Sequence, residues 1–260
     1  MIKTEIKLEI NTTILDWLRA SPFWVHVAIT WSLLTLFMLV VRVAPWLRSA
    51  GQSFYSGLGL PSSEARFLTE FTFVAWAAGL GLVLNLWLVV RLEQPTDWKA
   101  LFLLQRTDWR GFLILFGIQI MIFGLEMTFL QKGLWKPIQD WLIGLGAWTE
   151  PGLLAPPREY LWLNLIALTL MSWVEMPEEI YFRGYLQSQI TKRIGAFWGI
   201  VLSNLLWDLW HVWNPAMFVR RFVINLPLGI LVHLRGRVWG PMIAHPLGNR
   251  LNALLLLLGQ

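Results

Sequence analysis

Long apolar blocks, recurring from one end of the chain to the other, constrain this sequence more than any other feature. Crossing the hydrocarbon core of a bilayer as a helix takes about 20 apolar residues. Seven segments approach that length: 23–41, 70–90, 111–130, 160–176, 195–213, 217–234 and 239–258. The fourth and sixth are short and meet Pro177 and Pro227, so they suit the interior of a bundle better than open lipid. Composition agrees, with 56% hydrophobic and 14% charged residues, where a soluble domain carries about 25% charged. The expected fold is all-α, a polytopic membrane helix bundle with about seven transmembrane helices, in contact with the lipid bilayer.

The absence of cysteine excludes disulfides, thiolate chemistry and Cys-ligated metals. The net charge of +5 is no sign of a nucleic-acid partner. The basic residues are scattered through short loops, where Lys and Arg anchor helix ends at headgroups, and many of the 18 tryptophans sit near block ends for the same reason. Residues 1–21 mix Lys3, Lys7 and Arg19 with Glu5, Glu9 and Asp16, an amphipathic lead-in rather than the basic start and apolar core of a secretory signal. The stretch "QKGLWKPIQDWLIGLGAWTEPGLLAPPREY" reads as an interfacial loop with one short amphipathic piece. "YLQSQITKRIG" reads as a short helix surfacing at the interface and closed by Gly195. A slight excess of Lys and Arg on the N-terminal side places the N-terminus in the cytoplasm.

Charged groups at membrane depth cost about 2.5–3.5 kcal/mol each on insertion scales, so they line cavities or pair with one another. Ionisable and strongly polar residues are concentrated in the second half of the chain: Glu175, Glu178, Glu179, Arg183, Asn204, Asp208, His211, Asn225, His233, His245 and Asn249, against His26, Glu70, Asn85 and Glu126 in the first. Glu179 and Arg183 are four apart with the acid first, the favourable order for a helical ion pair. Glu178 lies about 100° further round the helix, which leaves it free for another task. Pro177 suits the first turn of a helix or a break after the preceding span, so Glu178 is expected near a helix start. Asp208 and His211 share one helical segment, with Asp208 as a candidate orienter of His211, and His245 and Asn249 share another. Glu178, His211 and the His245–Asn249 pair come from three separate segments and converge only inside a bundle. His26 and His233 belong to no motif and read as packing or interfacial histidines. Glu126 stands isolated among apolar residues and receives no role.

"EEIYFRG" (178–184), "WDLWH" (207–211) and "HPLGN" (245–249) resemble the three signature motifs of the CAAX-protease and bacteriocin-processing family, also called Abi proteins: EExxxR, an aromatic-xxx-His element and His-xxx-Asn. The stretch "LGILVHLRGRVWGPMIAH" resembles the family's lead into its last motif. The resemblance covers about residues 160–256. It implies a division into a catalytic bundle over 156–260 and an N-terminal membrane region, 1–155, of unassigned role. It also implies a glutamate-dependent intramembrane endopeptidase acting on a membrane-associated or lipidated protein or peptide. Glu178 would be the general base that polarises water, His211 would help hold that water, and His245 and Asn249 would stabilise the oxyanion. Glu179 and Arg183 would brace the helix. Two positions depart from the pattern. The second motif begins with Trp207 where Phe is usual, on the side expected to face away from chemistry, and Pro246 follows His245, where it could bend the helix.

No cofactor is expected. Two histidines and a glutamate could bind zinc, but the HExxH spacing is absent and the ligands would come from three helices. The alternative to an enzyme is a non-catalytic membrane scaffold or immunity protein of the same fold, for which Glu178→Ala would be silent. A transporter would show repeat symmetry, and none is visible. Short loops and the lack of a retention signal fit a bacterial or organellar member, with the bacterial inner membrane as the expected location, where CAAX prenylation is not the expected substrate chemistry.

Overall fold

The computed structural model describes residues 16–125, 134–147, 161–211 and 215–258. Every regular element among them is helical. Helix α1 spans Phe23–Val43. Ala44 and Pro45 then turn the chain into α2 (Pro45–Gly57), Pro45 standing at the helix start where its missing N–H costs nothing. Helix α3 (Ser62–Thr69) continues through a π-helical turn, Glu70–Val74, into α4 (Ala75–Glu93). The short α5 (Trp98–Leu101), capped by Asp97, precedes α6 (Trp109–Leu125) and α7 (Lys136–Gly144). The second half comprises α8 (Leu161–Glu179), a π-helical segment Ile180–Gln187, α9 (Ser188–Ile194), α10 (Ala196–Trp210), α11 (Phe218–Arg235) and α12 (Trp239–Leu258).

The described part of each of the seven apolar blocks therefore lies mainly on helix. By length and composition, three continuous helices are long and apolar enough to cross a membrane: Phe23–Val43, Ser62–Glu93 and Pro215–Arg235. The others are shorter or carry more polar groups. Glu126, in the third block, lies outside the described residues, as do 148–160 of the expected interfacial loop. The amphipathic piece of that loop is α7.

Two local expectations change. Pro177 neither starts nor ends a helix; it sits inside α8, which runs without interruption through the π-helical segment into α9. Glu178 is therefore in the middle of a rod about 50 Å long at about 1.5 Å per residue, remote from any helix-start dipole. Proline removes one i→i−4 bond, and the wider i→i+5 turns that follow are a form helices take at functional sites. "YLQSQITKRIG" is the end of this rod rather than a separate helix, and Gly195 closes it at φ 93°. Pro246 likewise lies within an unbroken α12.

The rod is the axis of the fold. Helices α4 and α12 pack on α8, α10 and α11 pack on the π-helical segment, and α1 and α6 form an outer layer on α4 and α12. From Tyr181 to Gln187 every residue is buried. Tyr181, Phe182 and Tyr185 fill a core with Val27, Leu34 and Met38 of α1, Ala78, Leu82 and Val89 of α4, and Trp207 and Trp210 of α10. The opposite faces of α1 and α4, with Leu36, Val40, Leu80 and Trp87, are exposed apolar surface, as a lipid-facing layer requires.

Polar side chains stitch the two halves together. His26 meets Glu93 at 3.0 Å and the Leu18 carbonyl at 2.7 Å; Glu93 also accepts from the Tyr185 hydroxyl at 2.6 Å. Tyr181 and Thr30 hydroxyls lie 2.9 Å apart. His26 thus fills the packing role expected of it. Glu70 pairs with Arg48 at 2.5 Å and with Arg42 at 3.5 Å.

Candidate active site

The packing of α8, α10 and α12 gathers the acidic motif, Trp207, the two motif histidines and Asn249. Glu178 and Glu179 are buried, the latter completely. The Trp207 indole N–H donates to Glu178 Oε2 at 3.3 Å. Its ring lies 4.3 Å from the His211 ring and 6.1 Å from that of His245, and the Arg183 guanidinium sits 4.8 Å over it. Glu178, His211, His245 and Arg183 thus surround one indole. Trp207 is central to the cluster, which corrects the expectation that it faces away from chemistry. Its N–H was the available signal: phenylalanine has no donor to offer a carboxylate, and tryptophan has one.

Glu179 does more than neutralise Arg183. Its Oε1 lies 2.8 Å from His245 Nδ1, whereas Arg183 Nε stands 3.6 Å from Oε2. Four residues on an α-helix would stack Arg183 over Glu179, but the intervening backbone is π-helical, and its wider turn shifts that register. Arg183 uses Nη2 instead to donate to Asn204 Oδ1 at 3.1 Å, and Asn204 donates to the Phe222 carbonyl at 2.7 Å. Arg183 thus links α10 to the rod, and Asn204 ties both to α11.

His211 is the C-cap of α10, with Nδ1 2.9 Å from the Trp207 carbonyl. A carbonyl only accepts, so Nδ1 carries the proton. Asp208, the candidate orienter of His211, directs Oδ1 to Arg221 Nε at 2.7 Å. That partner comes from α11, and nothing in the spacing of Asp208 and His211 reveals it. Asn249 donates through Nδ2 to Glu175 Oε1 at 2.6 Å. Glu175, one turn before Glu178 and 2% exposed, is a third carboxylate of the cluster to which the motifs assign nothing.

Gly184 belongs to this architecture. A Cβ there would stand 2.6 Å from the Phe102 carbonyl oxygen, so the rod passes the α5 turn at backbone contact distance. Gly248 is similar: a Cβ would meet the Gln119 amide of α6 at 2.7 Å.

Glu179 engages Nδ1 of His245 and the Trp207 carbonyl engages Nδ1 of His211. Among the described residues, no three His, Asp or Glu side chains are grouped to hold a metal ion.

Outside the membrane-spanning segments, Asp108 caps α6 through the Gly111 N–H at 3.1 Å and binds Arg235 at the end of α11, with Nε at 2.7 Å. The guanidinium holds the Asp108 carboxyl below its ordinary range.

Residues 158–251 match the family described as Type II CAAX prenyl endopeptidase Rce1-like. The matched segment holds α8 and the rest of the rod, α10, α11 and the His245–Asn249 part of α12. No curated protein and no solved structure matches the chain at a significant level.

Proposed function

We propose, taking residues 158–251 as a segment of the CAAX-protease family, that this chain is an integral-membrane endopeptidase, crossing the bilayer about seven times and probing it for membrane-associated or lipidated proteins or peptides. It hydrolyses a peptide bond near the interface without a metal or other cofactor. The reading rests on the convergence of Glu178, His211 and His245 around Trp207, beside Asn249 on α12.

Glu178 takes a proton from water, whose oxygen attacks the scissile carbonyl carbon. A buried carboxylate close to the reacting atoms is suited to this step. His211, with Nδ1–H given to the Trp207 carbonyl, accepts from the same water through Nε2. The carbonyl oxygen becomes an oxyanion facing Asn249 Nδ2 and His245. An imidazolium paired with the Glu179 carboxylate donates from both nitrogens, Nδ1 to Glu179 and Nε2 to the oxyanion. The C–N bond then breaks, and the proton held by Glu178 passes to the departing amine. No covalent acyl-enzyme forms.

The test is cleavage of membrane-tethered and prenylated reporter peptides by purified protein in detergent. Glu178→Gln should lower the rate about 10²–10⁴-fold, the range of general-base catalysis, and a strong chelator should leave the wild-type rate unchanged. Loss of activity to chelator would replace the glutamate mechanism with a metal one. If the wild type cuts nothing while Glu178→Gln cells behave normally, the chain is a non-catalytic scaffold.

A further inference from the structure

We infer that Glu175 is a positioning residue for the reaction: it fixes the rotation of the Asn249 amide so that an N–H, and never the carbonyl oxygen, faces the developing oxyanion. The inference rests on the endopeptidase reading and extends it to a residue outside the three motifs.

Glu175 and Asn249 are 74 residues apart and meet where α8 packs on α12. The Nδ2–Oε1 distance is 2.6 Å, a short contact. This is the one hydrogen bond of Glu175 among the described residues, since Oε2 is buried with no partner. A carboxylate at this depth is costly to bury, and the single group it engages is the amide of Asn249.

An asparagine amide has two faces of opposite character, an NH₂ with two donors and an oxygen that only accepts. Either end fits a neutral pocket equally well in shape, and rotation by half a turn exchanges them. An ionised carboxylate only accepts, so Glu175 selects the NH₂ end. One N–H is then committed to Glu175, and the second is left to donate. Glu175 lies one helical turn before Glu178, about 60° away around α8. The selected amide nitrogen is therefore held on the side of the rod that carries the water-activating carboxylate. Without Glu175 the amide rotates, and half of its orientations present a carbonyl oxygen to the oxyanion, which repels it.

The variants Glu175→Ala and Glu175→Gln separate this role from both acid–base chemistry and simple support. Glutamine still offers a carbonyl oxygen to Asn249 Nδ2 but adds an NH₂ that tolerates the opposite orientation, so Glu175→Gln should lose activity, though less than Glu175→Ala. Alanine offers nothing. Glu175→Ala should lower kcat by about 30- to 100-fold at unchanged KM, below the loss of about 10²–10³ for deleting an oxyanion donor outright. In an Asn249→Ala background, Glu175→Ala should cost no further activity. Thermal unfolding in detergent confirms that each variant is folded, and Glu175→Gln stands in for an alanine variant that is not. Equal losses from Glu175→Ala with and without Asn249 would overturn the inference, as would a Glu175→Gln enzyme as inactive as Glu175→Ala. A wild type that cleaves no reporter removes the endopeptidase reading and this role together; an active wild type with a fully active Glu175→Ala removes this role alone.

Discussion

His245 Nδ1 stands 2.8 Å from Glu179 Oε1, and this contact joins two helices that are 66 residues apart in the chain. Glu179 thereby holds the imidazole through Nδ1, and it also faces the Arg183 guanidinium at 3.6 Å. Both Glu179 and Arg183 are completely buried. Removing one member of a buried ion pair leaves the other charge uncompensated, at a cost of about 3–5 kcal/mol. Glu179→Ala should therefore lose stability on that scale in detergent unfolding, and Glu178→Gln, whose carboxylate has no guanidinium partner, should lose far less. Equal destabilisation by the two would show that Glu179 has no special partner.

Trp207→Phe isolates the indole N–H. The ring stays beside His211 and His245, and only the donor to Glu178 disappears. A hydrogen bond to a charged group is worth about 1.5–3 kcal/mol, and at 3.3 Å this one belongs at the lower end. The expected result is a roughly tenfold fall in kcat, with a loss of stability no larger than about 1.5 kcal/mol. An unaltered kcat would mean that the contact is incidental.

Gly184→Ala brings a methyl group to 2.6 Å from the Phe102 carbonyl oxygen, a rigid backbone atom. Overpacking of this kind costs about 1–3 kcal/mol, to be read as a lower unfolding temperature. Gly117→Ala is the control, because a Cβ there meets nothing within 4 Å. Comparable melting of the two variants would refute the close approach of the rod to the α5 turn.

Asp108 supplies a pH dependence outside the membrane segments. Arg235 and the Gly111 N–H favour its ionised form in the folded state, so its folded value lies below the unfolded one. Its contribution is therefore complete above about pH 4, near the unfolded value, and is lost as the pH falls through the lower folded value. Asn still caps a helix, so Asp108→Asn removes only the charge and should cost about 0.3–1 kcal/mol at pH 7. The gap between variant and wild type should narrow below pH 4. A constant gap from pH 7 to pH 3 would locate the effect elsewhere.

Much of this protein is legible in its residues because membrane helices announce themselves locally. The described part of each of the seven apolar blocks falls mainly on helix, and Glu178, His211, His245 and Asn249 carry the spacing of the three motifs. The excess of polar groups in the second half of the chain marks the helices that meet at the site. The α2–α3 hairpin, Pro45–Gly57 and Ser62–Thr69, is less visible, since its mixed polar and apolar residues make no long block.

Local pattern and side-chain chemistry were enough to determine what each segment is and which residues are costly to bury, because hydropathy and helical spacing act over a few turns. Partnership was decided by tertiary structure. The sequence offered Arg183 to Glu179, His211 to Asp208 and nothing to Glu175. Packing gave Glu179 a nearer partner in His245, Asp208 a partner in Arg221, and Glu175 a partner in Asn249. The physical reason is twofold. Helices from distant parts of the chain supply contacts that no local spacing encodes, and the π-helical turns after Pro177 shift the register that spacing arguments assume. Trp207 shows the same limit: its neighbours on α10 do not disclose that its indole will lie between a glutamate of the rod and a histidine of α12.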